Sequence, residues 1–531
     1  MRKTMWLLFT IALSACEQAP EPSQQLDIIL EGGSVYSGED ADPVVTDVGI
    51  VGDRIVAIGD LGGNDGKLRL DVTGLAVVPG FIDIHSHAVR SDPNDGIFRW
   101  PDAENLIRQG VTTVVGGPDG NSPLPISATL TALEQNPASV NFATFVGHGS
   151  IRGLVIGNED RPPTDDELQS MRDEVRKAME QGAFGLSSGL IYVPGRFATT
   201  EEVIELAKVA AEYGGIYISH MREEGLDVLK SVAETIRIGE EGGLPTQLTH
   251  HKIVGAPMWG KSTETLRLVD EAIARGVDVS IDQYPYTASS TSLTILFPGW
   301  SLDGGRESLL ARLADKELRM RMRDDIVYRI EVDRGGNDPR NVVLSNCPHD
   351  TSLNGLNLSE LLQRQEREVT KENAAELLME LVEAGNCSAV FHAIDEGDVI
   401  NIMRHPVTMP ASDGGIEGPS DRVPHPRNYG TFSRILGHYV RELGVMPFRS
   451  AIHKMTMLPA DRIGLSDRGR IVEGAVADIA VIDPATVIDK ATFENPHQYS
   501  DGARHVFVSG EAVLLNGEMT GKRPGKVLRS R

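Results

Sequence analysis

Residues 78–87 read Val78-Pro79-Gly80-Phe81-Ile82-Asp83-Ile84-His85-Ser86-His87, an apolar run that ends in two histidines one residue apart. The apolar stretch 77–84 predicts a buried strand. Strand side chains alternate, so His85 and His87 project to the same side and can ligate one ion together. Alone, such a pair is weak evidence for a metal. Its weight comes from what lies downstream.

Further strands are predicted at 111–115, 142–146, 184–187, 216–219, 246–248, 277–281 and 407–410. Helices alternate with them. Thr164 with Glu167 reads as a capping box ahead of Leu168, Met171, Val175 and Met179, and Gly182 ends that helix. Thr199 with Glu202 repeats the device, and Gly214 closes the Val203, Leu206, Ala210 stripe. Eight strand-helix units fit an α/β fold, a (β/α)8 TIM-like barrel, better than an open doubly wound sheet. Each candidate polar residue follows a strand: His85 and His87 the first, Asp119 the second, His148 the third, His220 the fifth, His250 the sixth and Asp413 the eighth. Barrel strands converge at their carboxyl ends, where active sites of this fold are built. His148, between Gly147 and Gly149, serves equally well as a loop hydrogen-bonding residue, and His251 points away from His250 and reads as structural. Asp413, in Ser412-Asp413-Gly414-Gly415, alone would pass for a turn residue. Together, His85, His87, His220, His250 and Asp413 predict a metal site.

The 531 residues carry 51 Lys+Arg against 76 Asp+Glu, and 51 − 76 leaves a net charge of −25. That field repels phosphate, so nucleic acid is not an expected partner. Forty per cent hydrophobic and 24 % charged residues describe a globular chain, and three Cys exclude a disulfide-built scaffold. Residues 1–15 read as a bacterial lipoprotein signal: Arg2 and Lys3, then an apolar run too short to span a bilayer, then Leu13-Ser14-Ala15 before Cys16. Cys16 is the expected lipidation site, 16–25 a flexible tether, and the location a periplasm-facing, outer-membrane-anchored envelope protein; an ordinary secretory signal is the alternative. Cys347 and Cys387 then fit either a disulfide or two buried thiols. Short strands with turns at 26–78 and 466–531 predict one small β-sandwich built from both ends. The barrel takes 79–465, with an inserted subdomain at about 292–389, too long for one connection.

The sequence resembles the amidohydrolase superfamily, specifically the D-aminoacylases, or N-acyl-D-amino-acid deacylases. Besides 78–87, the resemblance is carried by Gly110-Val111-Thr112-Thr113-Val114-Val115, Gly182-Ala183-Phe184-Gly185-Leu186-Ser187-Ser188-Gly189-Leu190, Ser219-His220-Met221-Arg222, His250-His251-Lys252, Asp282-Gln283-Tyr284-Pro285-Tyr286, Ala411-Ser412-Asp413-Gly414-Gly415 and His425-Pro426-Arg427-Asn428-Tyr429-Gly430-Thr431-Phe432. It implies a zinc enzyme that hydrolyses N-acyl-D-amino acids to a free D-amino acid and a carboxylate. By the same resemblance His220 and His250 ligate a tightly held Zn2+, and His85 and His87 line a second, weaker site. The family usually bridges the two with a Cys just after the second strand. Here Asp119 stands there, a harder ligand, read as a metal ligand with loop orientation as the alternative. No Lys follows the fourth strand, which argues against the carboxylated lysine of hydantoinase-like relatives. A divalent ion lowers the pKa of its water from 15.7 toward about 7 and polarises the amide carbonyl. Asp413 is then the expected general base and acid. Lys252, Tyr284 and Ser290 are implied to hold the substrate carboxylate, with Tyr192 and Arg427 as further candidates. The absence of a basic residue from 293–300 favours neutral or apolar D-side chains. The alternatives are a D-amino-acid dipeptidase or cyclic-amide hydrolase on the same barrel, and a non-catalytic binding lipoprotein.

Overall fold

The computed structural model describes residues 25–89 and 95–530; the signal 1–15, Cys16 and all of the tether but Gln25 lie outside the described residues. Eight parallel strands form the barrel: Phe81–Asp83, Val111–Gly116, Asn141–Thr144 continued by Val146–Gly147, Gly185–Gly189, Ile216–His220, Thr246–Leu248, Val279–Gln283 and Thr408–Pro410. The third strand breaks at Phe145, so its first part pairs with the second strand and its last two residues with the fourth. A parallel bridge from Ser86 to Gly414 closes the ring. The Asp83 carboxylate reinforces the closure by accepting the Ser412 backbone N–H at 2.8 Å.

The run read as one strand over 77–84 is two. Ala76–Pro79 pairs antiparallel with Ile479–Ile482, outside the barrel, and Phe81–Asp83 enters it. Gly80 is the corner, and a Cβ there would lie 2.2 Å from Thr112 Oγ1, so only glycine allows this approach. The seventh strand runs to Gln283 rather than Ile281, which carries Asp282 to the barrel mouth. The helices start as their caps predict, with one difference. Thr164 and Glu167 form the reciprocal capping box, but Thr199 caps Glu202 N–H without a return bond. The Glu202 carboxylate is drawn into the interior by His148 Nε2 at 2.8 Å and Arg152 Nε at 3.1 Å.

Strands from both chain ends, Leu26–Val35 to Ala76–Pro79 and Ile479–Ile482 to Glu518–Met519, join in one nine-stranded sheet. The final residues leave it, and Val527 bridges to Phe142 on the third barrel strand. Between the seventh and eighth barrel strands the chain builds an antiparallel sheet in the order Ser289–Ser292, Ser388–Phe391, Val342–Asn346. Helices Gly305–Ala314, Lys316–Val332 and Lys371–Ala384 cover it around a separate apolar core that includes Leu309, Met322, Ile326, Leu378 and Phe391. Cys347 and Cys387 form a disulfide inside this insertion.

Candidate metal centre and active site

Six side chains predicted from five strand ends meet at the barrel mouth. Three of them, Asp119, His250 and Asp413, have left-handed backbones at φ +55°, +37° and +48°. Non-glycine residues pay for that conformation, which concentrates at functional sites. The ligand atoms fall into two sets, each within 4.8 Å: His85, His87, Asp119 and Asp413 in one, Asp119, His220 and His250 in the other. Asp119 belongs to both. Its Oδ1 lies 3.5 Å from His85 Nε2 and 3.4 Å from His250 Nε2, and its Oδ2 lies 3.4 Å from His87 Nε2 and 3.7 Å from His220 Nδ1. Asp413 Oδ1 faces His85 Nε2 at 3.4 Å and His87 Nε2 at 3.1 Å.

The donor set fits a divalent metal. His85 Nε2 and Asp119 Oδ1 are buried with no hydrogen-bond partner. His220 Nδ1 and His250 Nε2 point at each other 2.7 Å apart. Imidazole and carboxylate converging in threes and fours is zinc-type chemistry, although carboxylate in place of thiolate makes the site harder. Burial drives the His220 imidazolium pKa down to about 4, with nearby Glu224 opposing, so the ring is neutral and ligating at pH 7. Burial pushes the Asp413 carboxyl up, but Arg427, His250 and His85 more than reverse it and hold it well below the usual carboxylate range.

The residues that aim these ligands were not foreseen as such. Glu224, fully buried and four residues beyond His220 in sequence, lies 3.5 Å from His220 Nε2 and 3.1 Å from His250 Nδ1, on the sides of both rings away from Asp119. It also accepts from Lys252 Nζ at 2.6 Å and from Arg334 Nη2. Asp282 Oδ1 accepts the His250 backbone N–H at 2.7 Å and lies 3.3 Å from His85 Nδ1, while Gln247 Nε2 donates to Oδ2 at 2.6 Å. Outer carboxylates of this kind fix tautomer and ring orientation in metal sites. The only sequence trace of Glu224 was its spacing from His220. Asp282 lay in the quoted Asp282-Gln283-Tyr284 motif but carried no role.

All five candidate substrate residues, Lys252, Tyr284, Ser290, Tyr192 and Arg427, line one cavity of about 760 Å³ that also exposes the metal-type ligands. Lys252 is paired within the protein: its ammonium donates to Glu224 at 2.6 Å and His250 O at 2.9 Å and lies 2.8 Å from His250 Nδ1. Desolvation in a buried site favours that internal pairing. Arg427 Nη1 donates to Asp413 Oδ2 at 2.7 Å, and its guanidinium stacks 4.8 Å over the Tyr284 ring. Arg427 Nε and Tyr284 Oη are buried donors without a partner in the protein. Tyr192 Oη pairs with Thr291 Oγ1 at 3.1 Å, and the Ser290 carbonyl accepts from Arg427 Nη2 at 3.4 Å. His148 is committed to Glu202, and His251 Nε2 pairs with Thr265 Oγ1 at 2.8 Å, so neither joins the cluster.

The family model "Amidohydrolase family" matches residues 70–325 and 364–514. The chain belongs to the amidohydrolase family, among its D-aminoacylases. The D-aminoacylase of Alcaligenes xylosoxydans xylosoxydans is 38 % identical over 529 residues, covering 95 % of this chain and 98 % of that one. A D-aminoacylase structure described for its binuclear metal centre, with one-metal activation and second-metal attenuation, superposes with TM-score 0.79 at 36 % identity, covering 95 % of this chain and all of that one. The N-acyl-D-glutamate deacylase of Bordetella bronchiseptica, solved with zinc and a phosphonate mimic of the tetrahedral intermediate, superposes with TM-score 0.81 at 33 % identity over the same shares. Membership bears out the barrel and the D-aminoacylase resemblance.

Proposed function

We propose that this protein is a zinc-dependent N-acyl-D-amino-acid deacylase, releasing a free D-amino acid and a carboxylate. The observation that carries this reading is Asp119 shared between two ligand sets, beside an Asp413 carboxylate that faces one set and is anchored by Arg427. Asp119, His220 and His250 would hold one zinc ion, and His85, His87, Asp119 and Asp413 a second. When bound, zinc lowers the pKa of its water and polarises the amide carbonyl. Arg427 keeps Asp413 ionised and so ready to accept the attacking water's proton; Asp413 then delivers it to the amide nitrogen, without which the amine leaves poorly. The unpartnered Arg427 Nε and Tyr284 Oη offer two donors to the substrate carboxylate, with Ser290 and Tyr192 at the same wall.

The test is turnover of N-acetyl-D- and N-acetyl-L-amino acids, a D-residue dipeptide and a hydantoin by the protein stripped of metal and reloaded with zinc. Zinc-restored hydrolysis confined to the N-acetyl-D substrates is expected; preference for the dipeptide or hydantoin overturns the reading. The lipid anchor at Cys16 and the periplasm-facing, outer-membrane location rest on residues 2–16, and the Cys347–Cys387 disulfide supports an oxidising compartment. Cys16→Ser should free the protein from the membrane fraction; retention there overturns the anchor.

A further inference from the structure

The cavity wall opposite in character to the metal ligands belongs to the insertion, and it is polar. Across its three strands, register places Ser292 beside Ser388 and Ser388 beside Asn346, so these three form one row, and all three line the cavity. Ser292 is fixed, accepting from Asn386 Nδ2 at 2.9 Å and Thr294 N–H at 3.2 Å. The Ser388 hydroxyl and the Asn346 carboxamide have no partner among the described residues, and neither residue is fully buried. The row is covalently pinned at its end: Cys347 and Cys387, the chain neighbours of Asn346 and Ser388, are disulfide-bonded. It therefore presents its polar groups at set positions, the preorganisation that recognition needs.

Two features sharpen what the wall recognises. Among the described residues, the cavity's apolar lining is Val89, Val193, three prolines and the rings of Tyr192 and Tyr284, all outside the insertion, so a large apolar side chain laid on the insertion row would strip water from hydroxyl and amide groups. No spare Lys or Arg lines the cavity among the described residues: Lys252 and Arg334 share Glu224, Arg422 pairs with Asp95 at 2.9 Å, and Arg427 pairs with Asp413. An acidic side chain would enter without a counter-charge. The wall also meets the carboxylate end of the site, because Arg427 Nη2 reaches the Ser290 carbonyl at 3.4 Å. Side chain and acylated nitrogen both branch from Cα, but the scissile acyl carbonyl has to lie at the metal-type ligands, so the side chain is the branch left for this row.

On the deacylase reading above, we propose that Ser388 and Asn346, with Ser292 behind them, form a subsite for a neutral, hydrogen-bonding D-side chain, an amide or a hydroxyl. This narrows the expectation of neutral or apolar side chains to its polar half. The experiment uses the zinc-loaded full chain with N-acetyl-D-glutamine, -asparagine, -leucine and -glutamate. Each kcat/KM is divided by that for N-acetylglycine with the same protein, so losses of folded enzyme cancel. Wild type should favour glutamine or asparagine over both leucine and glutamate by at least about tenfold, a floor for this half-buried row, since a fully buried hydrogen-bonding site rejects unpaired partners by about 10⁴-fold or more. Asn346→Leu with Ser388→Val should bring the amide-to-leucine ratio down by about tenfold or more. Leucine or glutamate preferred by wild type, or an unshifted ratio in the variant, overturns the subsite and leaves the deacylase reading standing. Failure to hydrolyse any of the substrates, N-acetylglycine included, removes both.

Discussion

Replacing Glu224 with Gln isolates how the metal ligands are aimed, because Glu224 touches both His220 and His250 but lies in neither ligand set. The carboxylate is fully buried and serves Lys252, Arg334 and the two rings at once. Its pKa is set by burial, which raises it, and by Lys252, His220 and His250, which together hold it well below the carboxylate range. The amide keeps the shape but loses the charge and puts an N–H where an acceptor was. Two buried cations then lack their common partner, and breaking one such pair costs about 3–5 kcal/mol. That is a large share of the roughly 5–15 kcal/mol that keeps a domain folded, so the variant should fold with a lowered melting temperature. Loss of an outer-shell partner weakens metal binding by about 10–100-fold, or about 1.4–2.7 kcal/mol. The assay is zinc affinity by chelator competition on folded protein, alongside urea denaturation. Glu234→Gln is the control: it breaks an ion pair with Arg222 elsewhere and should leave zinc affinity unchanged. Adding Lys252→Met to Glu224→Gln removes one stranded charge and should recover stability but not zinc affinity. Wild-type zinc affinity in folded Glu224→Gln would refute the aiming role.

Asp413→Asn should lower kcat by about 10²–10⁴-fold while zinc stays on the His220 and His250 side, since that set does not include it; substantial kcat in the zinc-loaded variant argues against its proton role. Asp119→Cys exchanges a hard shared ligand for a soft one and should shift metal preference toward zinc and cadmium over manganese in competition binding; an unchanged order would show that Asp119 is not a ligand. Replacing Cys347 and Cys387 by Ser reopens a 40-residue loop and should cost up to about 4 kcal/mol of stability in urea titrations under non-reducing conditions. Arg161 and the Thr164 N–H lower the Glu167 pKa from 4.5 to about 2. The folded value lies below the unfolded one, so this stabilisation is complete above pH 4.5 and is lost as pH falls toward 2. The melting difference between wild type and Glu167→Gln should therefore shrink across that interval, and a constant difference would contradict it.

The negative charge also changes meaning at the site. A net −25 repels a carboxylate substrate from a distance, yet among the described residues four Lys and Arg line the cavity. Each is tied to a carboxylate, so the attraction must come from the metal ions together with the few unspent donors, Arg427 Nε and Tyr284 Oη.

How legible the molecule was in its sequence depended on whether the signal was local. Alternating strand and helix punctuation, with a polar residue after most strands, was enough to predict the barrel and the six residues that converge at its mouth. That works because a parallel strand's carboxyl end is a position in sequence as well as in space. Gly80 shows the limit: a continuous apolar run hides a corner that exists only because Thr112 approaches from another strand. The capping pattern of Glu202 was likewise read correctly as a helix start, but its carboxylate answers to His148 and Arg152 from a different helix.

What the sequence by itself determined was the order of elements, the chemical kind of each ligand and the family to which they belong, all properties of residues and short spacings. Only the tertiary structure decided which charges are spent and which are free. Lys252 was expected to hold the substrate carboxylate, and only the fold shows that Glu224, 28 residues away, already pairs with its ammonium; Ser388 and Asn346 drew no notice in the sequence, and only strand register sets them in one row. Pairing and register are settled by desolvation and packing between distant segments, and no local pattern encodes them.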